Sequence, residues 1–291
     1  MKPPPFAYEA PATVDEAVAL LGGADGARVL AGGQSLVPLM NAHLERPSAL
    51  VDVNRIAELA ELDAGSDVSA GAIVRADRLA RDGAVRARLA VLADAAARVG
   101  HQAVRNRGTV GGNLAFADPA NNLPVVGVAL DADLIVRSTA GERTIAAADF
   151  FRGAHGTALQ PGDLLCAVRF PGLPEGAGSA YYEVSRRSRG WGLAGAAAAV
   201  WLAADGTVAD ARIALGGVTD VPRRMSAAEA SLAGAEPGDA AFAAAGAAAR
   251  DAVAAARSDM HATADYRRRL AAVVVARALR AASARADGRT R

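Results

Sequence analysis

Two short glycine-rich stretches, Ala31-Gly32-Gly33-Gln34-Ser35 and Thr109-Val110-Gly111-Gly112-Asn113, decide how this chain is interpreted. The first follows a strand-like segment, residues 28–31, and precedes an apolar segment, residues 36–44, that predicts a helix. Paired glycines let backbone amides approach a phosphate closely, and the start of a helix adds partial positive charge. A tight strand-to-helix turn would produce the same pattern, so this stretch taken alone is a weak signal.

The second stretch has the same character. Thr109 and Asn113 supply side-chain donors, while Gly111 and Gly112 expose the backbone. By itself it is equally compatible with a purely structural loop. Two polar glycine stretches in one chain suit a ligand with two phosphates, and neither is a Walker loop, because no Gly-Lys-Ser/Thr follows. The pair therefore predicts a dinucleotide ligand.

A literal Rossmann fingerprint also occurs, as Gly190-x-Gly192-x-x-Gly195. The basic run Ser185-Arg186-Arg187-Ser188-Arg189 before it is unsuited to a buried parallel strand. The turn at Asp205-Gly206 after it predicts a hairpin instead of a crossover helix. An NAD-binding Rossmann protein is therefore kept only as an alternative, which a helix beginning at Gly190 to Gly195 would favour.

The composition limits the possible partners and cofactors. The length of 291 residues allows two domains, and a net charge of +1 provides no field that attracts nucleic acid or an anionic membrane. The longest apolar run, residues 192–204, is shorter than the roughly 18 residues of a membrane span. With no basic-then-apolar leader at the N-terminus, the sequence predicts a soluble, cytoplasmic protein.

Few residues are candidates for metal or acid–base chemistry. Cys166 is the only cysteine, and an iron–sulfur cluster needs about four thiolates, so any such cluster must lie on another chain. The four histidines are scattered without ligand spacing (His43, His101, His155 and His261). No nucleophile or acid–base pair is convincing. We therefore predict no catalytic residue and no metal site in this chain.

The order helix, strand, loop, helix and strand at the start of the chain indicates a small βαβ-like N-terminal unit. A capping box at Thr13-Val14-Asp15-Glu16 begins the first helix. Further along, the pattern predicts a hairpin at residues 62–74, a long amphipathic helical segment at 76–99 and an apolar helix at 124–130. A linker at 171–178, three strands within 181–215 and an alanine-rich helical region at 226–286 follow.

The two glycine stretches, extended to Leu36-Val37-Pro38 and to Leu114, resemble the FAD pyrophosphate-binding loops of the molybdenum hydroxylase flavoprotein subunits. This family includes the medium subunits of carbon monoxide dehydrogenase and the FAD domain of xanthine dehydrogenase. The opening Lys2-Pro3-Pro4-Pro5-Phe6-Ala7-Tyr8, the strand Leu50-Val51-Asp52-Val53-Asn54 and Ser185-Arg186-Arg187 are also similar. The resemblance covers nearly the whole chain, and finding both loops in order makes it specific.

The resemblance implies a fold and a division into domains. It implies the α+β fold class, with an FAD-binding PCMH-type (vanillyl-alcohol-oxidase-like) domain of two α/β subdomains followed by a C-terminal domain of a three-stranded antiparallel sheet and helices. We expect the FAD-binding domain at residues 1–175, with subdomains 1–57 and 58–175. The C-terminal domain is expected at residues 179–286, and a tail at residues 287–291.

The resemblance also implies cofactor-binding residues. Asn122 stands where many relatives have an aspartate that binds flavin sugar hydroxyls, and Trp191 where they have Phe or Tyr near the isoalloxazine. Glu183 stands where a lysine is common. Leu164 or Leu165 would pack against the adenine or flavin ring. The complete expected set is Ala31, Gly32, Gly33, Gln34, Ser35, Leu36, Thr109, Val110, Gly111, Gly112, Asn113, Asn122, Leu164, Leu165 and Trp191.

The implied function is electron transfer within a multi-subunit oxidoreductase. A large partner would carry molybdopterin, and a small partner would carry two 2Fe–2S clusters, in a dimer of heterotrimers. FAD on this chain would take electrons from the 2Fe–2S clusters and pass them to an external acceptor. The alternatives are a non-catalytic scaffold of the same fold and the NAD-binding Rossmann protein.

Overall fold

The N-terminal part of the chain forms a small parallel sheet with two helices. The computed structural model describes residues 2–188 and 190–286, so the expected tail, residues 287–291, lies outside the described residues. The strands pair in the order β1-β3-β2, all parallel. Thr13 caps α1 through its hydroxyl, as the capping box predicts. In chain order the elements are β1 Ala7–Glu9, α1 Val14–Gly23, β2 Arg28–Leu30, α2 Leu36–Asn41 and β3 Ala49–Asp52.

The middle of the chain forms a five-stranded antiparallel sheet covered by short helices. Two 3₁₀ turns, Val53–Arg55 and Ala57–Ala60, lead into it. Its strand order is β4-β5-β10-β6-β7, and β8 and β9 form a separate hairpin. The strands are β4 Leu62–Ala64, β5 Val68–Gly71, β6 Asp133–Ser138, β7 Gly141–Ala146, β8 Phe151–Gly153, β9 Gly156–Thr157 and β10 Leu164–Phe170.

The helices of this region differ in one respect from the sequence-based expectation. The amphipathic segment 76–99 is three helices instead of one, because Asp82 leaves the helical conformation and accepts hydrogen bonds from the amides of Ala84 and Val85, which starts a new helix. A second break occurs at Leu89. The helices are α3 Ala76–Arg81, α4 Gly83–Arg88, α5 Ala90–Arg98, α6 Gln102–Arg105, α7 Val110–Phe116, α8 Leu123–Ala129 and α9 Ala147–Phe150.

The C-terminal part is an antiparallel sheet with helices on both faces. Three long strands are present as predicted, and a two-residue strand is added at the edge, giving the order β11-β12-β13-β14. The predicted α+β fold class is confirmed. The elements are β11 Gly178–Ser185, β12 Gly192–Leu202, β13 Val208–Gly216, β14 Arg223–Arg224, α10 Ser226–Ala230, α11 Asp239–Ala252 and α12 Ala264–Ser283.

The alanine-rich strand β12 lies at the centre of this sheet. Side chains alternate between the two faces of a strand. Ala197 and Ala199 therefore belong to the core shared with the middle region, whereas Ala196, Ala198 and Val200 belong to the core formed with α11 and α12. Since helices cover both faces, the strand is apolar throughout, and its small side chains let those helices pack closely. Alanine favours helices in isolation, but packing here outweighs that preference.

A buried arginine connects α12 to the sheet. Arg267 is 2 % exposed, and its Nη1 donates to the carbonyl oxygens of Leu193 and Gly217, both at 2.6 Å. Its Nη2 donates to Asp259 Oδ2 at 2.6 Å. The guanidinium thus joins the start of β12, the end of β13 and the segment that precedes α12.

This arrangement predicts an acid-sensitive C-terminal domain. Burial acts to raise the pKa of Asp259, but hydrogen bonds from Arg267 and from the amides of His261 and Ala262 outweigh it and lower the pKa from 3.8 to about 2. A carboxyl whose pKa is lower in the folded state stabilises the fold above its unfolded pKa and loses that effect as the pH falls. We expect the free energy of unfolding to decrease between pH 3.8 and about 2, and to decrease less in Asp259→Asn. Urea unfolding followed by tryptophan fluorescence at several pH values measures this, and an equal acid sensitivity in both chains would contradict it.

Candidate functional site

The two glycine-rich stretches are in direct contact. Gly32 lies so close to the chain before the second stretch that a Cβ on it would be 2.4 Å from the carbonyl oxygen of Arg107 and 2.9 Å from Gly108 Cα. Gly33 has φ +70°, a left-handed conformation that glycine adopts without strain. Residues separated by more than seventy positions therefore form one surface, as a shared ligand would require.

The first stretch presents a row of unpaired backbone amides. Within residues 2–188 and 190–286, the amides of Gly32, Gly33, Gln34 and Ser35 donate no hydrogen bond. Ser35 precedes α2, and its hydroxyl makes no capping bond. Backbone amides of folded proteins nearly always have an acceptor, and successive free amides in a turn form a concave anion site. We call the segment Gly32 to Ser35 the amide cradle.

A cavity of about 270 Å³ opens beside the amide cradle. Val37, Asp52, Asn54 and Arg107 contribute to its walls together with the first three residues of the cradle, 32–34. Asp52 is the last residue of β3 and Asn54 follows two positions later, while the cradle follows the end of the neighbouring strand β2. Because parallel strands end at the same edge of a sheet, these polar groups meet there.

A hydrogen-bond network holds the segments next to the cradle in place. Asn54 Nδ2 donates to the carbonyl oxygen of Ala31 at 2.8 Å. Arg75 donates to Asn54 Oδ1 and, at 2.7 Å, to the carbonyl oxygen of Arg107. The side chain of Arg75 thus links the two glycine-rich stretches. Sequence reasoning missed Arg75, Asn54 and Arg107 as site residues; the clue available for Asn54 was a polar side chain just after a strand end.

Asp52 remains ionised in this network. Burial acts to raise the pKa of its carboxyl, but hydrogen bonds from Tyr8 and Asn54 outweigh burial and hold the pKa below its usual value. The hydrogen bond to Asp52 in turn raises the pKa of Tyr8. The residues that line the cavity therefore include one ionised carboxylate, Asp52, and one basic residue, Arg107.

In the second glycine-rich stretch, the backbone amides of residues 110–113 donate to acceptors within the chain, unlike those of the cradle. Residues 110–116 form α7, so the expected loop is the first turn of a helix capped by Thr109, whose hydroxyl accepts from the amide of Gly112. The amide of Gly111 donates to Ala72, and a Cβ on Gly111 would lie 2.6 Å from the Ala72 side chain. Val110 and Asn113 also donate their amides to the chain. Gly111 thus serves close packing, while Gly112 is exposed.

Asn113 retains one group that points to a ligand. Its buried Oδ1 has no hydrogen-bond partner in the described part of the chain. Buried side-chain oxygens are normally satisfied, and an exception requires an explanation such as a missing donor. The unpaired amides of the cradle and this unpaired oxygen fit a dinucleotide, which offers phosphate acceptors and sugar hydroxyl donors.

The remaining expected residues lie in different places. Leu36 begins α2 at the cradle and is half-buried. Leu164 and Leu165 are 2 % and 5 % exposed and pack in two different hydrophobic cores. Neither residue lines the cavity beside the cradle, and the packing of one of them against the adenine or flavin ring stays a prediction.

Trp191 lies at a separate cavity. The indole is 60 % exposed and lines a cavity of about 420 Å³ together with Arg186, Arg187, Gly190 and His261. The Rossmann alternative is wrong for this segment. Residues 192–202 form strand β12, so the glycines of the fingerprint meet a strand instead of a helix; Arg189 lies outside the described residues.

Three structural findings concern metal binding, the cysteine thiol and membrane insertion. Among residues 2–188 and 190–286, no group of three or more His, Cys, Asp or Glu side chains is placed to hold a metal ion. Burial raises the pKa of the Cys166 thiol to about 11, so this thiol remains protonated near neutral pH. No helix in the same part of the chain is both long and apolar enough to cross a membrane.

The fold and the amide cradle together define a dinucleotide-binding protein that does not use a Rossmann fold. Residues 4–173 match the family described as FAD binding domain in molybdopterin dehydrogenase, and residues 179–282 match the CO dehydrogenase flavoprotein C-terminal domain. The chain belongs to this family of FAD-binding medium subunits of molybdenum hydroxylases. Its cofactor is FAD, and the resemblance seen in the sequence is confirmed.

Individual relatives agree with this assignment over the full chain. The carbon monoxide dehydrogenase medium chain of Hydrogenophaga pseudoflava is 39 % identical, over 98 % of this chain and 99 % of its own length. The nicotine 6-hydroxylase medium subunit of Paenarthrobacter nicotinovorans is 36 % identical, over 98 % and 100 %. A solved carbon monoxide dehydrogenase from Hydrogenophaga pseudoflava superposes with a TM-score of 0.93 at 40 % identity, covering 98 % of this chain and 100 % of that chain. The protein is thus the flavoprotein component of an oxidoreductase.

Proposed function

We propose that the amide cradle, residues 32–35, binds the FAD pyrophosphate, with the Ser35 hydroxyl and the Arg107 guanidinium as additional donors. The single observation that carries this proposal is the row of four unpaired amides at a strand end. Thr109 to Asn113 would hold the cradle in place through α7 and offer the Asn113 oxygen to a hydroxyl. When bound, the isoalloxazine supplies the redox chemistry, and the chain supplies binding and orientation.

The proposed role of the chain is to relay electrons between subunits. Electrons would arrive from the 2Fe–2S clusters of a small partner subunit, after substrate oxidation at the molybdenum of a large partner, and would leave to NAD⁺, a quinone or oxygen. The single cysteine and the absence of a metal-binding cluster in the described residues support this division of labour. The relatives named medium chains or subunits support it as well.

The proposed organisation follows from the same role. The FAD-binding domain would comprise residues 1–175, with subdomains 1–57 and 58–175, and the C-terminal domain residues 179–286. The exposed Trp191 would lie near the isoalloxazine, where an aromatic side chain can shield the ring. We propose assembly with the two partner subunits as a dimer of heterotrimers in the cytoplasm.

The proposal is tested by the absorption spectrum of the purified full-length chain before and after FAD is added. Oxidised-flavin bands that co-purify, or that appear with one FAD per chain, are the expected result. A chain that stays colourless with excess FAD, alone and in the assembled complex, would contradict FAD binding and favour the non-catalytic scaffold. In the complex, bleaching of the flavin bands by substrate tests the electron relay.

Arg107 provides a separate prediction. Replacing it with glutamine removes the cation at the cavity wall, and a hydrogen bond to a charged group contributes about 1.5 to 3 kcal/mol. We expect FAD affinity to fall by about tenfold or more in Arg107→Gln, and its salt dependence to weaken. Fluorescence titration at two salt concentrations measures both quantities. Arg28→Gln, an exposed arginine outside the cavity wall, is the matched control; equal affinities in both variants would exclude a role for Arg107.

A further inference from the structure

Glu183 is a buried carboxyl that the proposed function leaves unexplained. It lies on β11 of the C-terminal sheet, is 6 % exposed, and accepts a hydrogen bond from Asn122 Nδ2 at 2.5 Å. Asn122 immediately precedes α8 of the middle region. The hydroxyl of Tyr181 accepts a second bond from the same nitrogen at 3.1 Å. These contacts connect two parts of the chain that are 61 residues apart.

The oxygen of the Asn122 side-chain amide has no partner in the described part of the chain. Both hydrogens of its nitrogen are used, and within residues 2–188 and 190–286 no donor reaches its Oδ1. The residue itself is only 6 % exposed. The side chain of its neighbour Asn121 donates to the carbonyl oxygen of Asn113 at 2.8 Å, so the chain just before Asn122 contacts the second glycine-rich stretch. The Asn122 oxygen is not among the side-chain atoms sealed from solvent, so it can accept a hydrogen bond from a hydroxyl group of a ligand.

We propose that Glu183 is a positioning residue that fixes Asn122 as a hydrogen-bond acceptor for a hydroxyl of the bound dinucleotide. The inference rests on the proposed FAD site. An ionised carboxylate can only accept hydrogen bonds, so it selects the amide orientation with nitrogen towards Glu183 and oxygen away from it. A protonated carboxyl can donate to Oδ1 instead, and the turned amide would then present hydrogens to the hydroxyl oxygen.

The arrangement makes the acceptor dependent on pH. Burial raises the pKa of Glu183, while the hydrogen bond from Asn122 and the charge of Arg98 act in the opposite direction. Arg98, on α5, and the neighbouring Tyr181 are the other titratable groups that face it, and burial keeps the Tyr181 hydroxyl protonated by raising its pKa. FAD affinity should therefore be highest above the pKa of Glu183 and decrease as the pH falls through it.

The experiment is a fluorescence titration of the full-length chain with FAD from about pH 5 to about pH 9. In the wild type we expect affinity to fall by about threefold to tenfold towards low pH, the effect of one hydrogen bond. Glu183→Gln should bind FAD at every pH with the lower affinity that the wild type shows at low pH, because a neutral amide, like a protonated carboxyl, can donate as well as accept and no longer selects the orientation of Asn122. Asn122→Ala should have the lower affinity at all pH values.

A double variant separates positioning from simple packing. In Asn122→Asp with Glu183→Gln, the amide and the carboxylate are exchanged, so the hydrogen bond between them is kept and an acceptor oxygen still faces the ligand. Asn122→Asp alone places two carboxyls together and should bind FAD more weakly at high pH; the double variant should restore affinity. Circular dichroism confirms folding of each variant.

The possible results are distinguishable. A Glu183→Gln chain that keeps the wild-type pH step would overturn the role of Glu183 and leave the FAD site intact. Failure of the double variant to recover affinity would overturn it as well. A wild-type chain that binds no FAD at any pH would overturn the proposed function and this inference together.

Discussion

Gly32→Ala is expected to abolish stable FAD binding. The added Cβ would lie 2.4 Å from the carbonyl oxygen of Arg107 and 2.9 Å from Gly108 Cα, and neither backbone atom can move away as a flexible side chain would. The two glycine-rich stretches must therefore separate, which displaces the amide cradle. Each hydrogen bond to a charged group contributes about 1.5 to 3 kcal/mol, so the loss of two weakens FAD binding by at least about 100-fold.

Fluorescence titration with FAD measures this loss, and the chain offers a matched control. Gly23, at the end of α1, has no atom within 4 Å of the position that a Cβ would occupy. Gly23→Ala should therefore bind FAD as the wild type does. Urea unfolding of both variants separates a local change at the cradle from global destabilisation. Unchanged FAD affinity in Gly32→Ala would show that the cradle is not the pyrophosphate site.

Arg267→Met is expected to destabilise the C-terminal domain by about 3 to 5 kcal/mol, the usual effect of removing one partner from a buried ion pair. The substitution removes the shorter of the two ion pairs of Asp259, leaving only the pair with Arg257 at 3.3 Å, and leaves the carbonyl oxygens of Leu193 and Gly217 without this donor. Methionine fills similar apolar volume but donates no hydrogen bond. Since Leu193 is close to Trp191 along the chain, the wall of the Trp191 cavity should also become less ordered.

The neighbouring arginine serves as the control. Arg268 is 40 % exposed by side chain and pairs with Asp265 on the same helix. Exposed pairs contribute about 0 to 1 kcal/mol, so Arg268→Met should differ little from the wild type. Both tryptophans of the protein, Trp191 and Trp201, lie in this domain, so their fluorescence reports its unfolding in urea. Similar stabilities for the two variants would contradict the structural role of Arg267.

The sequence predicted several individual elements of the fold, because the residue pattern that produces each of them lies within a short segment. The capping box at Thr13, the Asp205-Gly206 turn and the apolar run of β12 each concern residues close together in the chain. The division of residues 76–99 into three helices was not predicted, because an amphipathic pattern continues across Asp82 although the chain direction changes there.

The candidate site was predicted from the sequence only in part. The pattern at Gly32 and Gly33 correctly indicated glycines with special backbone requirements, one packed against Arg107 and Gly108 and one with positive φ. At Gly111 the same pattern has a different physical cause, since this glycine allows α7 to approach Ala72. A glycine in a sequence motif indicates that a side chain would not fit, but the motif does not show which atoms occupy the position of the missing side chain.

By itself, the sequence determined the family and, through the resemblance of its two glycine-rich stretches, the cofactor. It also predicted most of the longer strands and helices, because their periodicities lie within short segments. Only the tertiary structure decided which polar groups meet. The contacts of Arg75 with Asn54 and Arg107, of Arg267 with Leu193 and Gly217, and of Glu183 with Asn122 join residues between 21 and 74 positions apart. Such contacts depend on how the sheets and helices pack against each other. If the same elements packed differently, these side chains would not meet.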